Sequence, residues 1–357
     1  MNASPSHRPH PAEWTETQSL LPSAERDLPA GRHQFHKEQM MARIHEDLRT
    51  SSRMPAASSV APVKRSNPFL RRTILPAAAF ALAGAVVGAL ALTGGADDGR
   101  AALATGPALT TTIGAADAKG APQLLERISL AAADTSAPTP RKGQYIYIAS
   151  KVADTYIKTV GDKSEAVSDE LHSRQVWNSL DGRDGWLIEA GATSDKGITL
   201  KSDVPFSGSY NALAELPTDP DALLQRIYRA SDAVRDPEVP RDQAAFVAIG
   251  DLLFESYPPA EVGAALYKAA AKIPGVVSVD DAVDATGRHG VAIARENEGE
   301  RTEWIFDKKT LQFLGERTVV VKATAGDPLK VGTVTHTSAI TERAVVDAAK
   351  QVPGQVG

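Results

Sequence analysis

Cysteine is absent from all 357 residues, which removes disulfides, thiolate metal sites and cysteine nucleophiles together. An exported domain of this chain must therefore be held by its core alone. Aromatics are scarce at 5%, against 27 Gly and 23 Pro, so much of the length is not packed core, and one folded domain with tails is expected. Charge is missing from one stretch in particular. Thr73 to Thr93, TILPAAAFALAGAVVGALALT, has no Asp, Glu, Lys or Arg, and at about 1.5 Å per residue it reaches about 30 Å, the hydrocarbon thickness of a bilayer. A single transmembrane helix over 73–93 is the natural reading, because inside hydrocarbon each backbone amide must be satisfied within its own segment.

What charge there is sets the orientation. Up to Arg72 there are 11 Lys+Arg against 7 Asp+Glu, a balance of +4; the whole-chain 39 and 44 then leave 28 against 37, a balance of −9. Lys64, Arg65, Arg71 and Arg72 precede the apolar run and Asp97 and Asp98 follow it. Basic residues stay in the cytoplasm, so the N-terminus is expected inside and the rest outside, anchored in the cell membrane. Their role as an anchor accounts for these cations without nucleic acid. A cleaved export signal is the rival, and it needs a start at Met54, which would make Arg71-Arg72 a twin-arginine signal. Inside the run, Gly84 and Gly88 form a GxxxG with Ala81 and Ala85 on the same small-residue stripe. Such a stripe lets two helices approach closely, which is compatible with a homodimer.

In order, residues 1–72 form a cytoplasmic tail, polar, Pro-bearing and mostly disordered. Within it, over about 36–50, Met41, Ile44 and Leu48 recur at helical spacing and predict an amphipathic helix suited to a partner. Residues 94–120 are small-residue text and read as a flexible stalk. From 121 to 357 the patterns predict one extracytoplasmic α+β domain. Helices are expected at Ala121 to Ala132, from the Asp219-Pro220 start, over Arg241 to Tyr257, and after Pro258-Pro259. Alternating text from Gly143, a hairpin turn at 181–185 with Trp177 and Trp186 on its arms, and the series of short returns from Val276 predict an antiparallel sheet. Three helices inserted between an early hairpin and a late meander predict a curved, half-barrel-like sheet with helices on its open face.

The span DATGRHGVAIARENEGERTEWIFDKKTLQFLGERTVV, followed by VGTVTHTSAI, resembles a family of actinobacterial single-pass membrane proteins of unknown function, often encoded beside extracytoplasmic-function sigma factors. Its most specific part is FD-x-x-T-x-x-x-LGE at Phe306, Asp307, Thr310, Leu314, Gly315 and Glu316, with Gly287-Arg288 before it. Asp307 and Thr310 are expected to tie a turn, and Gly315 to permit close approach or a bulge. The resemblance thus implies fold determinants, with no active site to carry over, and a sigma factor as the cytoplasmic partner. By architecture alone, the half-barrel is also similar to lipoprotein carriers and to the envelope-stress regulators that bind them.

Chemistry is otherwise sparse. No GxSxG, HExxH, Walker loop or dinucleotide fingerprint stands in a suitable context. His172, His289 and His336 are far apart and read as strand-surface residues. No metal, cofactor or catalysis is expected. The reading is a sensing or regulatory envelope protein with a ligand-binding outer domain; the alternative is a membrane-tethered lipid or lipoprotein-binding module.

Overall fold

The β-rich text from residue 143 onward pairs in the computed structural model into a single antiparallel sheet. The structure describes residues 103–354 except 135–138, 161–162, 205 and 324. The apolar run over 73–93, the basic anchor and the inner helix over 36–50 lie outside the described residues. Among the described residues no helix is long and apolar enough to cross a membrane.

Two meanders make the sheet. The first has β3 (Tyr145–Val160), β4 (Lys163–Asp169), β5 (His172–Ser179), β6 (Asp184–Glu189) and β7 (Ile198–Lys201). The second has β8 (Val276–Val283), β9 (His289–Asn297), β10 (Glu300–Asp307), β11 (Phe313–Val320) and β12 (Val334–Val346). They join where β12 pairs with β3, giving the order β2-β8-β9-β10-β11-β12-β3-β5-β6-β7, with β4 beside the far end of β3. The sheet does not close on itself. Trp177 and Trp186 are direct cross-strand partners, as the turn at 181–185 requires.

The small-residue text before the first helix also enters the sheet. β1 (Thr105–Pro107) pairs with β4, β2 (Ala116–Asp117) pairs with β8, and Thr110 bridges Thr333. Here small side chains serve close packing of one strand edge on another.

Five helices follow the expected starts. They are α1 (Ala121–Ala133), α2 (Tyr210–Ala214), α3 (Pro220–Asp232), α4 (Arg241–Glu255) and α5 (Ala260–Ala270). Asp219 caps α3 by accepting from the amide of Ala222 at 2.9 Å, and Pro220 opens its first turn. All five contribute to one core on one face of the sheet, against Val276, Ile293, Trp304 and Phe306. The period-two alternation of β10 puts Trp304 and Phe306 on this face and Arg301, Glu303 and Ile305 on the other. Phe246 of α4 stacks on Trp304 at 3.9 Å and 4°. That contact needs Gly250, where a Cβ would meet Trp304 Nε1 at 2.5 Å. Each such buried ring contributes on the order of 1.5–3 kcal/mol.

Two segments flanking the helices and strands lie over parts of the opposite face. Near β10 and β11 the covering segment runs through Thr111 and Gly114; near β5 the Trp177 indole donates to the Gln351 carbonyl at 2.7 Å, and Lys350 lies 3.5 Å from the Trp186 ring.

Candidate functional site: a charged seam and a cleft at the end of α4

Helix α4 crosses the sheet, and its C-terminal turn separates two unusual environments. On one side lies a seam of charge. The inward alternation of β5 places His172, Arg174 and Val176 on one face, and both charged members are buried. Arg174 Nη2 reaches Glu255 Oε2 of α4 at 3.0 Å and Arg174 Nε reaches Glu189 Oε2 of β6 at 3.4 Å. His172 Nε2 stands 3.5 Å from the same Glu189. Farther along, His336 Nδ1 contacts Asp154 Oδ1 at 2.7 Å, and its Nε2 faces Glu316 Oε1 at 3.9 Å.

These groups perturb one another. Burial pulls the His336 imidazole down, but the carboxylates of Asp154, Glu316 and Asp251 outweigh it and push His336 up to about 9. Asp154 moves the other way: burial would raise it, and His336 holds it below its usual range. Burial raises Glu316, with His336 opposing and Glu255 reinforcing. Even with both imidazoles protonated, three cations, His172, Arg174 and His336, face the carboxylates of Asp154, Glu189, Glu255 and Glu316, with Asp251 also acting on His336.

On the other side of the α4 terminus is a cleft of about 380 Å³, between the ends of α1 and α5 and the β11–β12 strands. Its walls are mostly apolar, with Leu253, Tyr257, Phe313 and Ile340 among them. Tyr267 of α5 also lines it, and burial holds that phenol well above its usual range, as a neutral donor. Two arginines line the cleft, and they differ. Arg288 is ion-paired: Nε donates to Asp284 Oδ2 at 2.6 Å and Nη2 to the carbonyls of Leu314 and Ile340 at 3.1 and 2.9 Å. Arg343 donates through Nη2 to the Leu253 carbonyl, while its buried Nε has no hydrogen-bond partner. The rings of Tyr257 and Phe313 lie 6.0 and 5.9 Å from its guanidinium carbon. Burial brings Arg343 down to about 10, with Tyr267, Tyr257 and Glu255 opposing, so it remains a cation at neutral pH.

A second groove, of about 390 Å³, lies at the sheet edge between α1 and β2–β8, beside Gln123, Arg127 and Asp280. Its Asp280 is already used, accepting from the Ala115 amide at 3.1 Å.

The turn residues singled out in the sequence are where the pattern placed them. Asp307 Oδ1 accepts from the amides of Lys309 and Thr310 at 2.9 and 2.7 Å and from the Thr310 hydroxyl at 3.0 Å. A Cβ on Gly315 would meet the Ser338 carbonyl at 2.3 Å, so close approach to β12 fixes that glycine. The ladder between β10 and β11 shifts register beside it, between Ile305 and Phe306. Gly84, Gly88, Ala81, Ala85, Lys64, Arg65, Arg71, Arg72, Met41, Ile44 and Leu48 lie outside the described residues.

Of the histidines, His289 is on the surface as expected, beside Asp281 at 3.1 Å. His172 and His336 need correction, because the first is 8% exposed and the second joins it in the seam. Among the described residues no group of three or more His, Asp or Glu is placed to hold a metal ion. Sequence reasoning passed over Arg174 and Arg343. Both had a signal, a cation at an inward position of a strand, two residues before a valine on the same face, Val176 and Val345. Compared with protein-family models and with curated proteins, the sequence matches none.

Proposed function

We propose that this chain is a single-pass envelope protein whose described region is an outer, ligand-binding domain, and that the cleft beneath Arg343 receives the ligand. One observation carries the reading. A cationic side chain with a buried, unpartnered Nε lines a mostly apolar cleft of about 380 Å³, within the range of small-molecule sites. The open sheet with helices laid over one face is in this view a half-barrel with the cleft at its mouth. The role is sensing or regulatory, without catalysis, and neither cofactor nor metal is required.

The charge-free run over 73–93 and its basic flank support the placement in the cell membrane, N-terminus inside. Gly84 and Gly88 would pair two such helices. The inner helix, through Met41, Ile44 and Leu48, would contact a cytoplasmic regulator such as a sigma factor, as the family resemblance implies. The apolar walls also favour the second reading, a tethered module for lipid or lipoprotein.

Two measurements test the proposal. A C-terminal epitope should be cleaved by external protease in intact protoplasts, and a shielded epitope would overturn the topology. The full chain extracted from membranes should carry a small molecule in native mass spectrometry; a bare mass throughout would count against a ligand-binding domain. Deleting residues 1–53 should alter transcription if the inner helix signals, whereas retained lipid with unchanged transcription would favour the tethered module.

A further inference from the structure

The cleft's chemistry narrows what it holds. Arg343 and its sequence neighbour Glu342 both contribute to the lining. Strand alternation turns the Glu342 side chain toward the opposite face, where its charge acts on Tyr147, and leaves the positive charge of Arg343 on the helix side. The nearest acid on α4, Glu255, is taken by Arg174 at 3.0 Å. No carboxylate among the described residues pairs with Arg343.

The positive field has a second source. Ala260, the first residue of α5, lines the cleft, and that helix starts without a side-chain cap, with the exposed Glu261 as the one acid of its first turn. Its N-terminal amides and dipole favour an anion in the same space. A neutral or cationic body seated there would desolvate the guanidinium without compensation, which is costly.

The charge is also single. The charge of Arg288 is matched by Asp284, so one guanidinium without a counter-ion remains, enough for a monoanion and too little for a phosphate dianion. A planar carboxylate suits it. Beyond the head, the walls offer rings and aliphatic groups, with Tyr257, Tyr267, Thr310, Gln312 and Thr341 as neutral polar groups among them. The volume of about 380 Å³, at about 30 Å³ for a water-sized group, has room for about a dozen non-hydrogen atoms.

Resting on the reading that this cleft is the ligand site, we propose that its ligand is a medium-chain monocarboxylic acid, with the carboxylate on Arg343 and the apolar body along Phe313, Tyr257 and Ile340.

The test uses the full chain in nanodiscs of neutral phosphatidylcholine, titrated calorimetrically with octanoate, octanol and octylamine against empty discs. Octanoate should bind at least tenfold more tightly than octanol, and octylamine least. R343Q should lose at least tenfold in octanoate affinity while its octanol affinity stays level, and R343K should recover part of the loss. A second variant, Gly263→Leu, plugs the cleft with Arg343 in place; a Cβ at Gly263 meets only Pro258 Cγ, at 3.7 Å, and an unchanged circular dichroism spectrum and unfolding midpoint establish that the variant is folded. It should abolish binding of both probes. Octanol binding as tightly as octanoate, or octanoate affinity unchanged in R343Q, would overturn the carboxylate assignment and leave the cleft as a site. Failure of all three probes to bind, or unaltered octanoate binding in Gly263→Leu, would remove the cleft itself.

Discussion

Arg317 and Arg343 stand on neighbouring strands of one sheet, and their surroundings could hardly differ more. Arg317 faces the side covered by the N-terminal segment, where Nε meets Glu303 Oε2 at 2.6 Å and Nη1 donates to Thr111 Oγ1 at 2.8 Å. Arg301 completes the group from the same face, donating to Glu303 Oε1 at 2.7 Å and to the Gly114 carbonyl at 3.1 Å. Arg343 faces the helices and has carbonyl and rings but no acid. A buried cation whose counter-charge comes from the same chain acts as a clamp. One whose counter-charge is missing is a vacancy for a ligand.

The clamp should therefore break first and hardest. Glu303 is fully buried between two guanidiniums, and Glu303→Gln leaves Arg317 without an acid and Arg301 with only Glu296, at 3.7 Å, an effect of about 3–5 kcal/mol. Urea unfolding monitored by tryptophan fluorescence measures it. Hydrogen exchange should also rise over 103–117, because Thr111 and Gly114 are held by the same arginines. A loss under about 1 kcal/mol, far below the cost of breaking a buried pair, would erase the distinction between the two arginines.

The seam beside the cleft should respond to pH where the clamp does not. His336 is raised from 6.5 to about 9 in the folded protein, so its stabilisation is complete below about pH 6.5 and is lost as pH rises through about 9. Glu316 is raised as well, so its proton too is lost on going up in pH. Asp154, lowered by His336, opposes only in acid, losing its contribution as pH falls through its folded value. Stability should thus decline between about pH 6.5 and 9. His336→Gln should flatten that decline and cost about 1–2 kcal/mol at pH 6, a charge-assisted hydrogen bond discounted for the exposure of Asp154. Urea midpoints at pH 6, 7.5 and 9 for both proteins decide it. A slope that persists in the variant would assign the titration elsewhere in the seam.

The legibility of this molecule in its sequence follows the range of the signal. Local signals read well: Asp219-Pro220 starts α3, Pro258-Pro259 separates α4 from α5, and the Asp307–Thr310 turn forms the bonds that its residue types suggest. Period-two text also gave the strands of the late meander. What failed is non-local. The text around Gly114 reads as a stalk because small residues suit both a loose chain and an edge packed closely on β8, and only the partner strand tells which. His172 and His336, 164 positions apart in the sequence, meet Asp154 from different sides only once β12 pairs with β3. Arg343 is legible as a cation just before the apolar end of its strand, Ala344 to Val346, but its lack of an acid depends on Glu255 being taken by Arg174.

The smallest expected effect is the most discriminating. Arg343→Met removes a cation from an apolar cleft together with one hydrogen bond to Leu253 and two ring contacts, terms of about 0.5–1 kcal/mol each. Against these losses stands the relief of an uncompensated buried charge, which buried-pair replacements show can equal or exceed them. Stability should therefore stay within about 1 kcal/mol of the parent. Arg317→Met strips Glu303 of a partner and should cost several times more, although the substitution is the same. The two variants share a side-chain change and a sheet, and Arg317 is the more deeply buried, so unfolding curves recorded side by side compare a cation paired with an acid against one that is not. Equal losses would mean that Arg343 is a structural cation like Arg317, and the cleft beneath it would then be a packing gap with no vacancy to fill.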